Sequence, residues 1–178
     1  MSSVDVSTVL ILFCQQVAKY GDRVALRRKA LGRWQEISWR EYGQRVREVA
    51  SGLVALGLRR GECVSIIAEN RPEWLYSDLG IMAAGGVTVG VYTTSSPEQC
   101  AYILNHSEAR FHIVEDEEQL DKLLRVRERL PLLERIVVID LKGLRRFQDP
   151  MVISFEQLLA AGRELDAAQP SRFRQSLE

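Results

Sequence analysis

The residues best suited by type and spacing to bind a ligand fall in one stretch, Gly85 to Glu98, which reads GGVTVGVYTTSSPE. Val87, Val89 and Val91 supply the β-branched content of a buried core strand, while Gly85, Gly86 and Gly90 permit close backbone approach. Thr93, Thr94, Ser95 and Ser96 crowd the carboxyl end of that strand, and Pro97 is placed to open a helix that Ser96 caps. In an open α/β sheet, ligands bind beyond the carboxyl ends of the strands, where helix N-termini present unpaired N–H groups to anions. The stretch therefore reads either as an anion-binding turn or as a helix cap and nothing more.

Elsewhere the chemistry is sparse. His112 lies between Phe111 and Ile113 in an apolar strand pattern and His106 closes a helix, so neither has an evident partner for general base work. Arg71, just before Pro72, reads as an ion-pair residue, Trp74 and Tyr76 as packing residues, and Glu98 as a carboxylate favouring a helix N-terminus. Activating a carboxylate with ATP needs a Gly/Ser/Thr-rich phosphate loop, a lysine and a carboxylate for magnesium. The chain has no such set. Gly80 to Gly85 has the glycine spacing of a phosphate loop, but Gly86-Val87 follows where Lys-Ser/Thr is required, and no GxGxxG, GxSxG or HExxH occurs. Cys14, Cys63 and Cys100 lie far apart in apolar patterns without ligand spacing, which suits reduced thiols in a cytoplasmic protein.

The elements that position the turn follow from periodicity. Val6, Val9, Leu10, Phe13 and Val17 recur at helical spacing and stop near Gly21. Val24 to Arg28 and Arg33 to Ser38 form a hairpin around Gly32, and Ser38 with Glu41 makes a capping box for a helix whose apolar face is Tyr42, Val46, Val49, Ala50 and Leu53. Strands at Cys63–Ala68, Val87–Tyr92, Phe111–Val114 and Ile136–Ile139 then alternate with helices starting at Pro72, Pro97 and Glu117. The last of these runs to about Leu130, with Glu118–Lys122 and Asp121–Arg125 as i,i+4 pairs. Lys142 to Pro150 reads as a loop, and Ser154 with Gln157 caps a helix over about Phe155–Ala161. This order predicts an α/β fold, a doubly wound and mainly parallel sheet with a small N-terminal β-hairpin. Residues 1–166 read as one domain and 167–178 as a linker.

With 46% hydrophobic and 27% charged residues, and Lys plus Arg matching Asp plus Glu at 24 each, nothing in the balance calls for nucleic acid as partner. A basic cluster, Arg23, Arg27, Arg28, Lys29 and Arg33, spans the hairpin and reads as a solvated rim. The apolar patch Val9 to Phe13 is too short for a membrane span.

Five motifs in register carry a resemblance: ISWREY at Ile37–Tyr42, LVALGLRRGECVSI at Leu53–Ile66, NRPEW at Asn70–Trp74, AAGGV at Ala83–Val87 and YTTSSPEQCAYIL at Tyr92–Leu104. They resemble the N-terminal region of adenylate-forming, AMP-binding acyl-CoA synthetases, above all the long-chain fatty acid ligases of bubblegum type, over roughly residues 20 to 140. The resemblance implies the N-terminal subdomain of that ligase fold. The parent enzyme would join fatty acid and ATP into acyl-adenylate and pyrophosphate, then let coenzyme A displace AMP, with ATP, Mg2+ and CoA as cofactors. It further implies that the phosphate loop follows this segment, that residues 167–178 lead toward a missing ATP-binding segment, and that the segment alone holds no catalytic residue.

In related synthetases the turn before the SPE motif lies near the CoA nucleotide, and the matching positions are Tyr92, Thr93 and Thr94. Relatives with that site carry glycines where Thr93 and Thr94 stand here. Tyr92 could stack on adenine, and the threonines could meet phosphate. The partners implied are the remainder of the ligase chain, fatty acid and CoA; a cytoplasmic location with peripheral membrane association is compatible with all of this. The alternative from a different class is a stand-alone, non-catalytic α/β binding or regulatory module derived from this fold.

Overall fold

The computed structural model describes residues 8 to 175. Val6, assigned above to the first helix, and residues 176–178 of the expected linker lie outside the described residues. Helix α1 (Val9–Tyr20) is capped by Thr8, whose Oγ1 accepts from the Ile11 N–H at 3.3 Å. Strands β1 (Val24–Ala30) and β2 (Arg33–Ser38) form the antiparallel hairpin, turning at Leu31 and Gly32 with φ of 48° and 76°. The capping box then launches α2 (Trp39–Ala55): Ser38 N–H donates to Glu41 Oε2 at 2.8 Å and Glu41 N–H to Ser38 Oγ at 3.2 Å.

β3 (Cys63–Ile67), α3 (Pro72–Ala83), β4 (Val87–Val91), α4 (Pro97–His106), β5 (Phe111–Val114), α5 (Glu117–Arg125) and β6 (Arg135–Val138) follow in the expected alternation. A three-residue strand, β7 (Val152–Ser154), was not expected; it is too short to show a period and directly precedes α6 (Phe155–Ala168). All pairings in the main sheet are parallel, in the order β4-β3-β5-β6-β7. Alternate residues feed two cores. Val64, Ile66, Phe111, Ile113 and Val137 meet α2, α3 and α6, whereas Ile67, Val114, Ile136 and Val138 meet Cys100 and Leu104 of α4 and Leu120 and Leu123 of α5. Helices thus cover both faces, as a doubly wound sheet requires.

Four expectations are corrected. The strand 87–91 is not a buried core strand: among the described residues β4 has β3 as its one neighbour, Val87 is 50% exposed and within the strand only Val91 is buried. The chain runs outward from β3 to β4 and returns across β3 to β5, which leaves β4 at the margin. The helix expected to reach Leu130 ends at Arg125, and a 3-10 turn over Arg127–Arg129 follows Val126. Pro131 disfavours helical geometry at Leu130, so the second segment tightens and stops. Glu118 and Lys122 pair at 3.2 Å, but among the described residues no ion pair joins Asp121 to Arg125. Finally, α6 continues to Ala168, into the stretch read as linker, and a short helix α7 (Arg172–Gln175) follows.

What extends α6 is its seat on α2. Gly52 and Gly162 sit where an added Cβ would strike the Leu158 and Glu48 carbonyl oxygens, so the two helix backbones meet closely. Farther along, the Asp166 carboxylate accepts from Arg47 Nε and Ser51 Oγ, both at 2.7 Å. No helix among the described residues is long and apolar enough to cross a membrane.

Candidate functional site at the carboxyl edge of the sheet

The strand order reverses at β3. The connection leaving β3 enters α3 on one face, and the connection leaving β5 enters α5 on the other. This is the topological switch point at which open α/β sheets bind ligands. Here the crevice is filled by the chain's own groups. The Glu115 carboxylate, just beyond β5, accepts from the Glu69 backbone N–H at 2.6 Å and from Arg71 Nη1 at 3.2 Å. Arg71 Nε in turn donates to Glu73 Oε2 at 2.8 Å, and Arg28 Nη1 reaches Glu73 Oε1 at 3.3 Å. Burial pushes the Glu73 carboxyl up, but its hydrogen bond and charge pairing with Arg71 outweigh that and hold it below the usual carboxylate range. Arg71 is therefore an ion-pair residue, as read from sequence, and a central one.

The hydroxyl turn lies beside this crevice. Ser96 caps α4 through a full capping box with Gln99, so the cap reading is correct for that hydroxyl. Thr93 Oγ1 donates to Glu69 Oε1, which ties the end of β4 to the end of β3. Lys122 of α5 reaches across to donate to the Thr93 carbonyl at 2.5 Å and to Gln119 Oε1 at 3.1 Å. Thr94 is exposed and Tyr92 is 84% exposed, with its ring clear of the core. Two of the three expected residues, Thr93 and Thr94, line one shallow depression with Glu69, Glu115, Asp116, Glu118, Gln119 and Lys122, whereas Tyr92 is not among the residues lining it. Four carboxylates and one lysine line it, so its field repels a phosphate deep inside and accepts one only near Lys122. Sequence reading missed Lys122 and Glu69 as site groups. Lys122 sits two turns into α5 and shows no motif, although its i,i+4 spacing from Glu118 was visible.

His112 lies in β5 between Phe111 and Ile113, as read from sequence, but has a partner that the sequence did not show. Ser65 and His112 are register partners on β3 and β5, and Ser65 Oγ lies 2.6 Å from His112 Nδ1. Burial drives the imidazole pKa down to about 3, and its Nε2 has no hydrogen-bond partner among the described residues. His106 ends α4 and stacks on Tyr102, with centroids 5.9 Å apart. Among the described residues no group of three or more His, Cys, Asp or Glu is arranged to hold a metal ion.

Comparison with known proteins places this geometry. The family model described as AMP-binding enzyme matches residues 13–169. A long-chain-fatty-acid–CoA ligase of Bos taurus, ACSBG1, is 38% identical over 158 residues, covering 89% of this chain and 22% of the relative. ACSBG2 of Xenopus laevis, another long-chain-fatty-acid–CoA ligase, is 36% identical over 162 residues, covering 91% of this chain and 22% of the relative. Among solved structures, an anthranilate CoA ligase in complex with anthranoyl-AMP superposes with a TM-score of 0.73 at 29% identity over 85% of this chain and 27% of that one. The A-PCP didomain of a carboxylic acid reductase from Segniliparus rugosus gives 0.78 at 18% identity over 90% and 27%, a likeness of fold alone. The chain spans about a fifth of the length of its curated relatives, 22% in the two named. Fold, motifs and family model agree: this chain belongs to the AMP-binding enzyme family, over a segment corresponding to an N-terminal part of the ligase fold.

Proposed function

We propose that these residues form the first subdomain of a long-chain fatty acid–CoA ligase, and that the subdomain does no chemistry alone. The observation that carries the proposal is the outer edge of β4. Its sequence, VTVGV, holds no charge and no proline, Val87 is half exposed, and among the described residues no strand pairs with it. Stand-alone domains blunt such an edge with charges, bulges or a covering element. An unprotected edge fits a sheet completed by further chain and fits the stand-alone module poorly. A groove of about 690 Å³ between the hairpin and α3 has both apolar walls, Leu26, Trp34, Trp74 and Leu75 among them, and charged ones that include Arg28, Lys29, Arg71, Glu73 and Glu115.

ATP, Mg2+ and CoA would serve the whole ligase, with the remainder of the chain as protein partner and a cytoplasmic location. The residues described do not fit the ATP and magnesium site: no carboxylate cluster converges on a metal position and the 178 residues hold no phosphate loop. The part of the cofactor set that this segment suits is the nucleotide of CoA, at Tyr92, Thr93 and Thr94. Tyr92 offers an exposed ring for adenine stacking and Thr94 a hydroxyl; the Thr93 hydroxyl is already engaged with Glu69, and the Lys122 ammonium, bonded to the Thr93 carbonyl, Gln119 and Glu118, contributes as a nearby charge rather than as a free donor. The test is made in the full-length ligase. Tyr92→Ala or Thr94→Glu should raise the CoA requirement and leave fatty-acid-dependent adenylate formation intact, whereas equal loss in both half-reactions would refute a CoA role.

A further inference from the structure

The hairpin apex combines two unfavourable features that its fold does not need. Leu31 sits at φ 48°, a left-handed conformation that costs a leucine and suits asparagine or glycine, and its side chain is fully exposed at 103% of the reference area. Trp34, two residues beyond the turn's Gly32, is 67% exposed, and its cross-strand partner is Lys29. From Arg23 to Trp34 the chain carries five cations and no acid. Three are occupied: Arg27 with Glu36, Arg28 with Gln35 and Glu73, and Arg23 over the Tyr20 ring. Lys29 and Arg33 flank the apex and have no ion-pair partner among the described residues.

We propose that this apex, Leu31 and Trp34 framed by Lys29 and Arg33, docks on an anionic lipid surface. The shape favours lipid over a protein groove, because a two-residue turn is convex and narrow and presents its apolar side chain at the point. A leucine can enter the acyl boundary while tryptophan and the two cations occupy the headgroup level, where tryptophan is favoured and cations meet anionic lipid. The chain as a whole has no net charge, so attraction to such a surface is local to the hairpin. The proposal concerns a surface remote from the YTT turn in sequence and does not rest on the ligase activity.

The experiment is co-sedimentation of this chain with vesicles of phosphatidylcholine alone or mixed with phosphatidylserine, at low and high salt. Binding should require phosphatidylserine, weaken with salt, and be abolished by Leu31→Asn together with Trp34→Thr. Neutralising Lys29 or Arg33 as glutamine should weaken partition by about five-fold each. Leu31→Asn suits the turn better than leucine, and circular dichroism of each variant separates lost binding from lost fold. Absence of binding to the mixed vesicles, or binding that the apex variants leave unchanged, overturns the proposal. So does a loss of self-association in the apex variants without vesicle binding in the parent, which would make the apex a contact with a second copy.

Discussion

Ser65 and His112 face each other across β3 and β5 with Oγ and Nδ1 2.6 Å apart, a fully buried polar pair in the middle of the sheet. The imidazole is held neutral by burial, with its pKa near 3, while the unfolded chain would protonate near pH 6.5. The unfolded state therefore binds more protons between these values, and stability falls as pH drops below 6.5. The limiting slope from this one group is about 1.4 kcal/mol per pH unit. Urea unfolding of the wild type and of His112→Gln between pH 7 and 5 checks it: the wild type should lose about 2 kcal/mol more than the variant over this interval.

The α2–α6 contact should be intolerant of a single methyl group. Gly52→Ala and Gly162→Ala each drive a Cβ into a backbone carbonyl that cannot swing aside, so each should destabilise the fold by about 3 kcal/mol, more than the gain in helix propensity of about 1 kcal/mol. Gly90→Ala, on the open edge of β4 with nothing near its Cβ position, is the matched control and should change chemical stability little.

Asp166 ties α6 to α2 by bonds to Arg47 and Ser51. Asp166→Ala leaves a hydroxyl and a partly buried guanidinium without their acceptor, at a cost of about 2 kcal/mol. Thermal unfolding measures it directly; an unchanged midpoint would show that glycine packing alone seats α6.

Much of this was legible in the residues. The three capping signals read from sequence, at Ser38, Ser96 and Ser154, all appear where expected, because a cap is a local device whose partners lie three residues apart. The positions of β1 to β6 were legible from local pattern as well, whereas the three-residue β7 was not. What sequence could not show was neighbourhood. The run Val87–Val91 looks like a core strand by composition, yet only the strand order reveals it as an edge. Likewise Lys122 and Glu69 reach the YTT turn from elements far apart in the chain, and the Ser65 partner of His112 is 47 residues away. The turn itself was found because its hydroxyls are contiguous.

Lys122 is the cation that can assist a phosphate at the YTT turn, so Lys122→Met in the full-length ligase should raise the CoA concentration needed for half-maximal thioester formation several-fold. Fatty-acid-dependent pyrophosphate exchange should be unchanged. A parallel loss of pyrophosphate exchange would instead assign Lys122 to holding Thr93 in place for folding.

The exposed β4 edge makes a physical prediction for the isolated chain. Val87→Lys places a charge on that edge and should suppress concentration-dependent self-association in sedimentation velocity, with little change in chemical stability. Identical behaviour of parent and variant would mean that the edge is not a sticky one.

The most direct measurement of the central claim is fatty-acid-dependent pyrophosphate release from ATP, by the isolated 178-residue chain and by a full-length ligase that contains it. Release by the full-length protein with long-chain fatty acids, and none by the isolated chain, is the predicted result. Turnover by the isolated chain, or a full-length protein that activates no fatty acid, would contradict the account.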